Sequence, residues 1–210
     1  MKKFINILLL LLFTYIVLIQ LTSSSADETE NLPDSVESNS RSGKVSIIPL
    51  SGMIDGGIYN SLKRRVEIAK KSGSNLIIFE IDTFGGQLEP AFEISEHISN
   101  INKIKTIAFI PTKAISAGSL IAISCNEIYM SPQAELGDCE PIVPSSEGGY
   151  KTVGEKIQTV LRTKFRKFAE KNGYPVLLAE AMVTKEIEVY RVVTEEKPEG
   201  FYVSGRELKE

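Results

Sequence analysis

From Lys44 onward the chain predicts an α/β fold: repeated β-α units with a mostly parallel sheet flanked by helices. Two observations carry that expectation. Short β-rich runs are separated by segments of helical periodicity, and the order strand, helix, strand, helix, strand favours parallel pairing. The composition, 42% hydrophobic and 24% charged, is that of a globular chain able to bury a core, and 210 residues allow one domain or one domain with a tail.

Taken in order, Lys2 and Lys3 precede an uncharged run from Phe4 to Leu21 that only Asn6, Thr14 and Gln20 interrupt. Ser23, Ser24, Ser25 and Ala26 follow, with Ser24 and Ala26 at the two small-residue positions of a cleavage site. Residues 1–26 therefore read as a signal peptide or an N-terminal membrane anchor, since the run is near the ~18 apolar residues at which a spanning helix becomes possible. Either way the lysines stay cytoplasmic and the folded part is extracytoplasmic, in the periplasm or on the outer face of the membrane. Residues 27–43 are Ser-rich and acidic, too poor in large apolar side chains to offset their ordering entropy, and predict a flexible linker.

Strands are expected at 45–50 (VSIIPL), 75–81 (NLIIFEI) and 105–110 (KTIAFI), with helices near 58–71 and 88–99 between them. In the second helix Leu88, Ala91, Phe92, Ser95 and Ile98 share a face, which turns the single histidine, His97, towards solvent. A further apolar helix covers 120–124. A long helix follows from about Val153 to Lys171, with Val153, Ile157, Val160, Leu161, Phe165 and Phe168 on one side, and it stops at Asn172-Gly173, a C-terminal cap. A short helix lies near 175–183. Residues 191–210 read as a partial strand and a charged tail.

Charge and residue counts exclude several functions. Lys+Arg 24 against Asp+Glu 27 leaves a net −3, with no basic excess to bind nucleic acid. One histidine and no pair of cysteines at ligand spacing argue against a zinc site, and no cofactor is implied. Cys125 and Cys139 read as buried thiols or one disulfide.

Two places could hold chemistry. In Asp82-Thr83-Phe84-Gly85-Gly86, directly after a strand, paired glycines permit a tight turn with bare amide N–H groups that could bind an oxyanion; a plain strand-to-helix turn is the simpler reading. In Ile115-Ser116-Ala117-Gly118-Ser119 a serine opens a helix among small neighbours, as a nucleophile or as an ordinary N-cap. His97 precedes that serine and faces away, so a Ser/His/Asp triad is not expected and a lysine is the remaining base. Lys156, in the first turn of the long helix, competes for that role with Lys151 and Lys164; Lys164 projects within the apolar stripe, for snorkelling or for function.

Together, DTFGG at 82–86, the SAG serine 30 residues beyond the second glycine, Pro132, Leu136-Gly137, a lysine 40 residues past the serine and LAEAMV at 178–183 resemble the membrane-bound serine proteases of the NfeD family. The resemblance covers residues 44–190. It implies a ClpP/crotonase fold, a Ser/Lys dyad of Ser116 and Lys156, and an oxyanion hole from the N–H groups of Gly86, Gly85 and Ala117. It also implies an endopeptidase acting on hydrophobic segments of membrane-associated proteins of the stomatin/prohibitin type, and a homo-oligomer. Long members of the family continue into membrane-spanning helices and a small OB-like barrel, so this chain is expected to be a short or C-terminally truncated form. The competing readings are a crotonase-type acyl-CoA enzyme, disfavoured by export; a signal peptide peptidase-like protease, in which the lysine precedes the serine; and a catalytically inactive membrane-tethered scaffold.

Overall fold

The computed structural model describes residues 43–146 and 148–209. The expected signal or anchor at 1–26, and the linker apart from Gly43, lie outside the described residues.

Three of the strands and two of the helices begin and end within two residues of their expected positions. They are β1 (Val45–Ser51), α1 (Gly56–Lys71), β2 (Leu76–Asp82), α2 (Leu88–Ser99) and β3 (Lys105–Ile110). Helix α1 starts where the Asp55 carboxylate accepts the Ile58 N–H at 2.9 Å, satisfying one of the first-turn donors. It ends with Lys70 and Lys71 against its negative pole. A fourth strand, β5 (Glu127–Met130), completes a sheet of order β1-β2-β3-β5 in which every pairing is parallel, with Val45 opposite Leu76, Leu76 opposite Lys105 and Ile107 opposite Glu127.

Strand alternation decides where the core sits. Ile48 and Leu50 from β1, Ile77, Phe79 and Ile81 from β2, and Ala108 and Ile110 from β3 point to one side and are buried. They meet Leu62 and Val66 of α1 and Ile94 and Ile98 of α2. The opposite side carries Ile47, Ile78, Ile107, Phe109 and Tyr129 around a shallow open depression, with Ile47 63% exposed.

Beyond β3 the chain leaves the sheet in short pieces. β4 (Lys113–Ile115) leads into α3 (Ala117–Ile123), which is buried along its whole length, and β6 (Glu135–Gly137) returns to pair with β4 in parallel, Ile115 opposite Gly137. An antiparallel hairpin follows, β7 (Ile142–Pro144) with β8 (Tyr150–Thr152). Helix α4 (Glu155–Asn172) ends at Gly173 in the left-handed conformation, φ 75°, as the Asn-Gly pair predicts. Its Lys164 and Lys167 both reach the Glu96 carboxylate of α2, at 2.6 and 2.8 Å. Then come α5 (Val176–Ala181), β9 (Val189–Val192) and β10 (Phe201–Ser204).

Two expectations are corrected. The end of the chain is a closed antiparallel hairpin, with Phe201 opposite Val192 and Ser204 opposite Val189, rather than a partial strand. His97 is half-buried rather than turned fully to solvent. Helix α2 packs against α1 as well as α3, so more than one of its faces is covered. The His97 ring lies edge-on to Tyr59, with centroids 6.4 Å apart, and its Nε2 is buried without a hydrogen-bond partner among the described residues. Burial, helped by the Lys70 and Lys63 ammonium groups and opposed by Glu67, moves its pKa below the usual histidine value.

Candidate active site

The site forms where β2 ends, α3 begins and β6 ends. The main chain of Thr83 exchanges hydrogen bonds with the strand beside it, its N–H donating to Lys113 O at 3.1 Å and its C=O accepting from Ile115 N–H at 3.0 Å. This lays the glycine turn alongside the serine. Gly85 has φ +108°, and a Cβ there would lie 2.8 Å from Ser116 Cβ and 3.2 Å from Ser116 Oγ. Only a residue without a side chain leaves room for the serine. Gly86 is constrained differently: its Cβ would lie 2.2 Å from Ile54 O, because Ile54 N–H donates to Gly85 O at 2.9 Å and Gln87 N–H to Ile54 O at 2.8 Å.

Ser116 stands at φ 53°, ψ −116°, a conformation that costs a non-glycine residue of order 1–3 kcal/mol and persists only where neighbours enforce it. It precedes α3 but makes no side-chain cap hydrogen bond, so the N-cap reading does not describe it. Its N–H is held by Gly137 O at 2.9 Å, and no hydrogen bond to its Oγ is found among the described residues. The N–H groups of Gly86 and Ala117 likewise have no acceptor among the described residues; Ala117 is the first residue of α3, where helix geometry provides none.

Ser116, Gly86 and Ala117 line one cleft of about 320 Å³. Leu88, Ala91, Leu120, Leu161 and Phe165 make it apolar, and Cys139 to Val143 form one wall. Both cysteines are free and buried; burial raises the Cys139 thiol to about 12 and moves Cys125 upward as well, so neither is a thiolate near neutral pH. A wider depression near the C-terminus, bounded by Glu186, Glu188, Arg206 and Lys209, is open to solvent, and its Ser204 hydroxyl is engaged by Glu207 at 2.7 Å.

The structure thus brings Gly85, Gly86, Ser116 and Ala117 together. The Gly85 N–H, however, donates to Thr83 Oγ1 at 2.9 Å, so this glycine contributes space rather than an oxyanion donor. Lys156 makes no hydrogen bond to Ser116: it is exposed in the first turn of α4, with no hydrogen bond or ion pair among the described residues, and is not among the residues that line the cleft, although Val153 and Ile157 on either side of it are. Lys164 is committed to Glu96 and lies over the Phe92 ring, and Lys151 is exposed on β8. His97 is absent from the cleft lining. Sequence reasoning missed Thr83 and Ser119, whose hydroxyls bond to the backbone around the serine.

A parallel sheet of this order, with a serine held at positive φ between two glycine turns, defines a ClpP-like α/β domain, the fold of its neighbours among solved structures. Residues 44–202 match the family model described as NfeD1b, N-terminal domain, and the chain belongs to that family. It is 29% identical over 147 residues to the membrane-bound protease PH1510 of Pyrococcus horikoshii, covering 68% of this chain and 33% of that protein. It is 27% identical over 159 residues to the membrane protein NfeD1b of Bacillus subtilis, covering 75% of this chain and 35% of that one. The chain therefore spans about a third of the length of these curated relatives.

Two solved structures of the 1510-N membrane-bound stomatin-specific protease are similar. A serine-to-alanine mutant is 28% identical with a TM-score of 0.65, covering 69% of this chain and 71% of that one. A lysine-to-alanine mutant in complex with a substrate peptide is 25% identical with a TM-score of 0.64, covering 79% and 70%. Protease function is thus represented among the relatives of this chain.

Proposed function

We propose that this domain is a serine endopeptidase in which Ser116 is the nucleophile and Lys156 the general base. The observation that carries the reading is Ser116 itself, strained at φ 53° with an unengaged hydroxyl, between the open N–H groups of Gly86 and Ala117. In the first step Ser116 Oγ attacks a peptide carbonyl while the Lys156 amine takes its proton. The Gly86 and Ala117 N–H groups receive the developing oxyanion, and the amine leaves with the proton returned by Lys156. Water then hydrolyses the acyl-enzyme by the same proton route.

Among the candidate lysines, spacing supports Lys156. The serine and lysine replaced in the two 1510-N structures stand 41 positions apart; Lys156 follows Ser116 by 40, Lys151 by 35 and Lys164 by 48. Lys156 is exposed in the free protein, and in this reading its hydrogen bond to Ser116 forms as substrate binds, since catalytic hydrogen bonds in free enzymes commonly tighten only in the complex. The apolar cleft suits a hydrophobic segment, and a stomatin/prohibitin-type membrane protein is the partner we assign, with residues 1–26 exporting or anchoring the domain outside the cytoplasm.

Hydrolysis of hydrophobic fluorogenic peptides by the full chain, beside Ser116→Ala, Lys156→Ala and Lys164→Ala, tests this. Loss in the first two with retention in the third supports the dyad. The exposure of Lys156, without a hydrogen-bond partner among the described residues, favours one other reading, a membrane-tethered scaffold; folded wild type without peptidase activity, together with partner binding unaltered by Ser116→Ala, would establish it instead.

A further inference from the structure

Two buried hydroxyls are arranged alike on either side of Ser116. Thr83 Oγ1 accepts the N–H of Gly85 at 2.9 Å and donates to Gly52 O at 2.5 Å. Ser119 Oγ accepts the N–H of Gly137 at 2.8 Å and donates to Ala114 O at 2.5 Å, with Gly137 O a second acceptor at 3.1 Å. Each hydroxyl thus bonds a glycine that has positive φ, +108° at Gly85 and +133° at Gly137. These are the two glycines that meet the serine: Gly85 by close approach of its Cα to the Ser116 side chain, Gly137 through its carbonyl on the Ser116 N–H.

We propose that Thr83 and Ser119 are positioning residues that hold the Gly85 and Gly137 turns against Ser116, fixing the nucleophile and the Gly86 N–H in register. Thr83 is 2% exposed and Ser119 fully buried, so the glycine amides they accept have no water to turn to. Thr83 also ties three chain segments: its Oγ1 holds Gly52, which follows β1, and Gly85, which follows β2, while its main chain pairs with β4. Without its hydroxyl the Phe84-Gly85 peptide loses the acceptor of its N–H, the glycine turn is left tied through Gly85 O to Ile54 N–H, and the Gly86 N–H, next along the chain, drifts from the position of the oxyanion. Without Ser119, the end of β6 no longer holds the Ser116 N–H, and the serine relaxes from φ 53°. Neither residue touches the substrate. Their influence on rate rests on the protease reading, whereas their influence on the two turns does not.

The test uses the full chain with Thr83→Val, which preserves shape; Thr83→Ser, which restores the hydroxyl; Ser119→Ala; and Ser124→Ala as control. Ser124 is a buried hydroxyl at the other end of α3, bonded to Ile121 O at 2.7 Å and remote from both glycines. Amide hydrogen exchange is read at Gly85 and Gly137, with kcat and KM on the fluorogenic peptide. Thr83→Val should lower Gly85 protection, and Ser119→Ala Gly137 protection, by roughly tenfold or more relative to amides of β2 and β3. A displacement approaching 1 Å lowers kcat on the order of a hundredfold, with KM within about twofold. Thr83→Ser should recover most of the rate, and Ser124→Ala should leave both readouts unchanged. Unchanged exchange at both glycines overturns the proposal, as does a rate loss that Ser124→Ala shares. Wild type without peptidase activity would count against the protease reading alone, and exchange would still decide whether the hydroxyls hold the turns. Should Ser119→Ala not fold, Thr83→Val carries the decision.

Discussion

Gly86→Ala is the sharpest single perturbation of the site. A Cβ at this position would lie 2.2 Å from Ile54 O, 2.5 Å from Ile54 N and 2.8 Å from Ile54 C, all main-chain atoms. Real Cβ atoms essentially never come within 3.0 Å of such neighbours, so the two segments must part by at least about 0.8 Å, the difference between 3.0 and 2.2. Ile54 cannot give way cheaply, because its N–H and C=O are both bonded to the glycine turn, to Gly85 O and from Gln87 N–H. The displacement therefore falls on the Gly86 peptide, whose N–H is an oxyanion donor in the proposed mechanism. Losing one such donor costs about 10²–10³ in kcat, and overpacking costs about 1–3 kcal/mol of stability. Peptide hydrolysis at saturating substrate, alongside urea unfolding, separates the two effects. Gly86→Ala with kcat within about threefold of wild type, against the ~10² expected for a lost donor, would refute the assignment of this N–H.

Three other outcomes are expected. Lys164→Ala removes one of two ammonium groups on Glu96, which Lys167 still holds at 2.8 Å; urea unfolding should show a loss below about 1 kcal/mol, and kcat should be unchanged. His97 has a folded-state pKa depressed below 6.5, chiefly by burial, so below that pH the unfolded chain takes up the proton first; stability should fall as pH drops through the range under 6.5, and His97→Gln should flatten that slope in urea midpoints. Iodoacetamide at pH 8 should leave Cys125 and Cys139 unmodified in the native protein and alkylate both in urea, since both thiols are buried and shifted upward.

How legible each part was in the sequence follows from how local its causes are. β1 to β3, α1 and α2 carry their own periodicity, and their boundaries follow from it. β4, β6, β7 and β8 are three residues each and exist only through pairing, as when 113–115 meets 135–137; no window that short has a period to read. β5, four residues of EIYM, was missed for the same reason. The orientation of His97 failed because a helix covered by two neighbours has no simple solvent face. At the site, Gly85, Gly86, Ser116 and Ala117 were legible as motifs and are adjacent in space. The engagement of the Gly85 N–H by Thr83 was not legible, because it depends on where a hydroxyl turns once Gly52, 31 residues away, is in place.

The ribbon of β4 and β6 sets how the molecule responds to heat. It holds Ser116 at one end, yet it is three residue pairs long and joins the main sheet at the end of β2 through Thr83. So small a unit opens at a lower free energy than the four-stranded sheet. Competence and foldedness are therefore expected to have different thresholds: on warming, peptidase activity should be lost below the circular dichroism transition of the helices and sheet, and should return on cooling from that range.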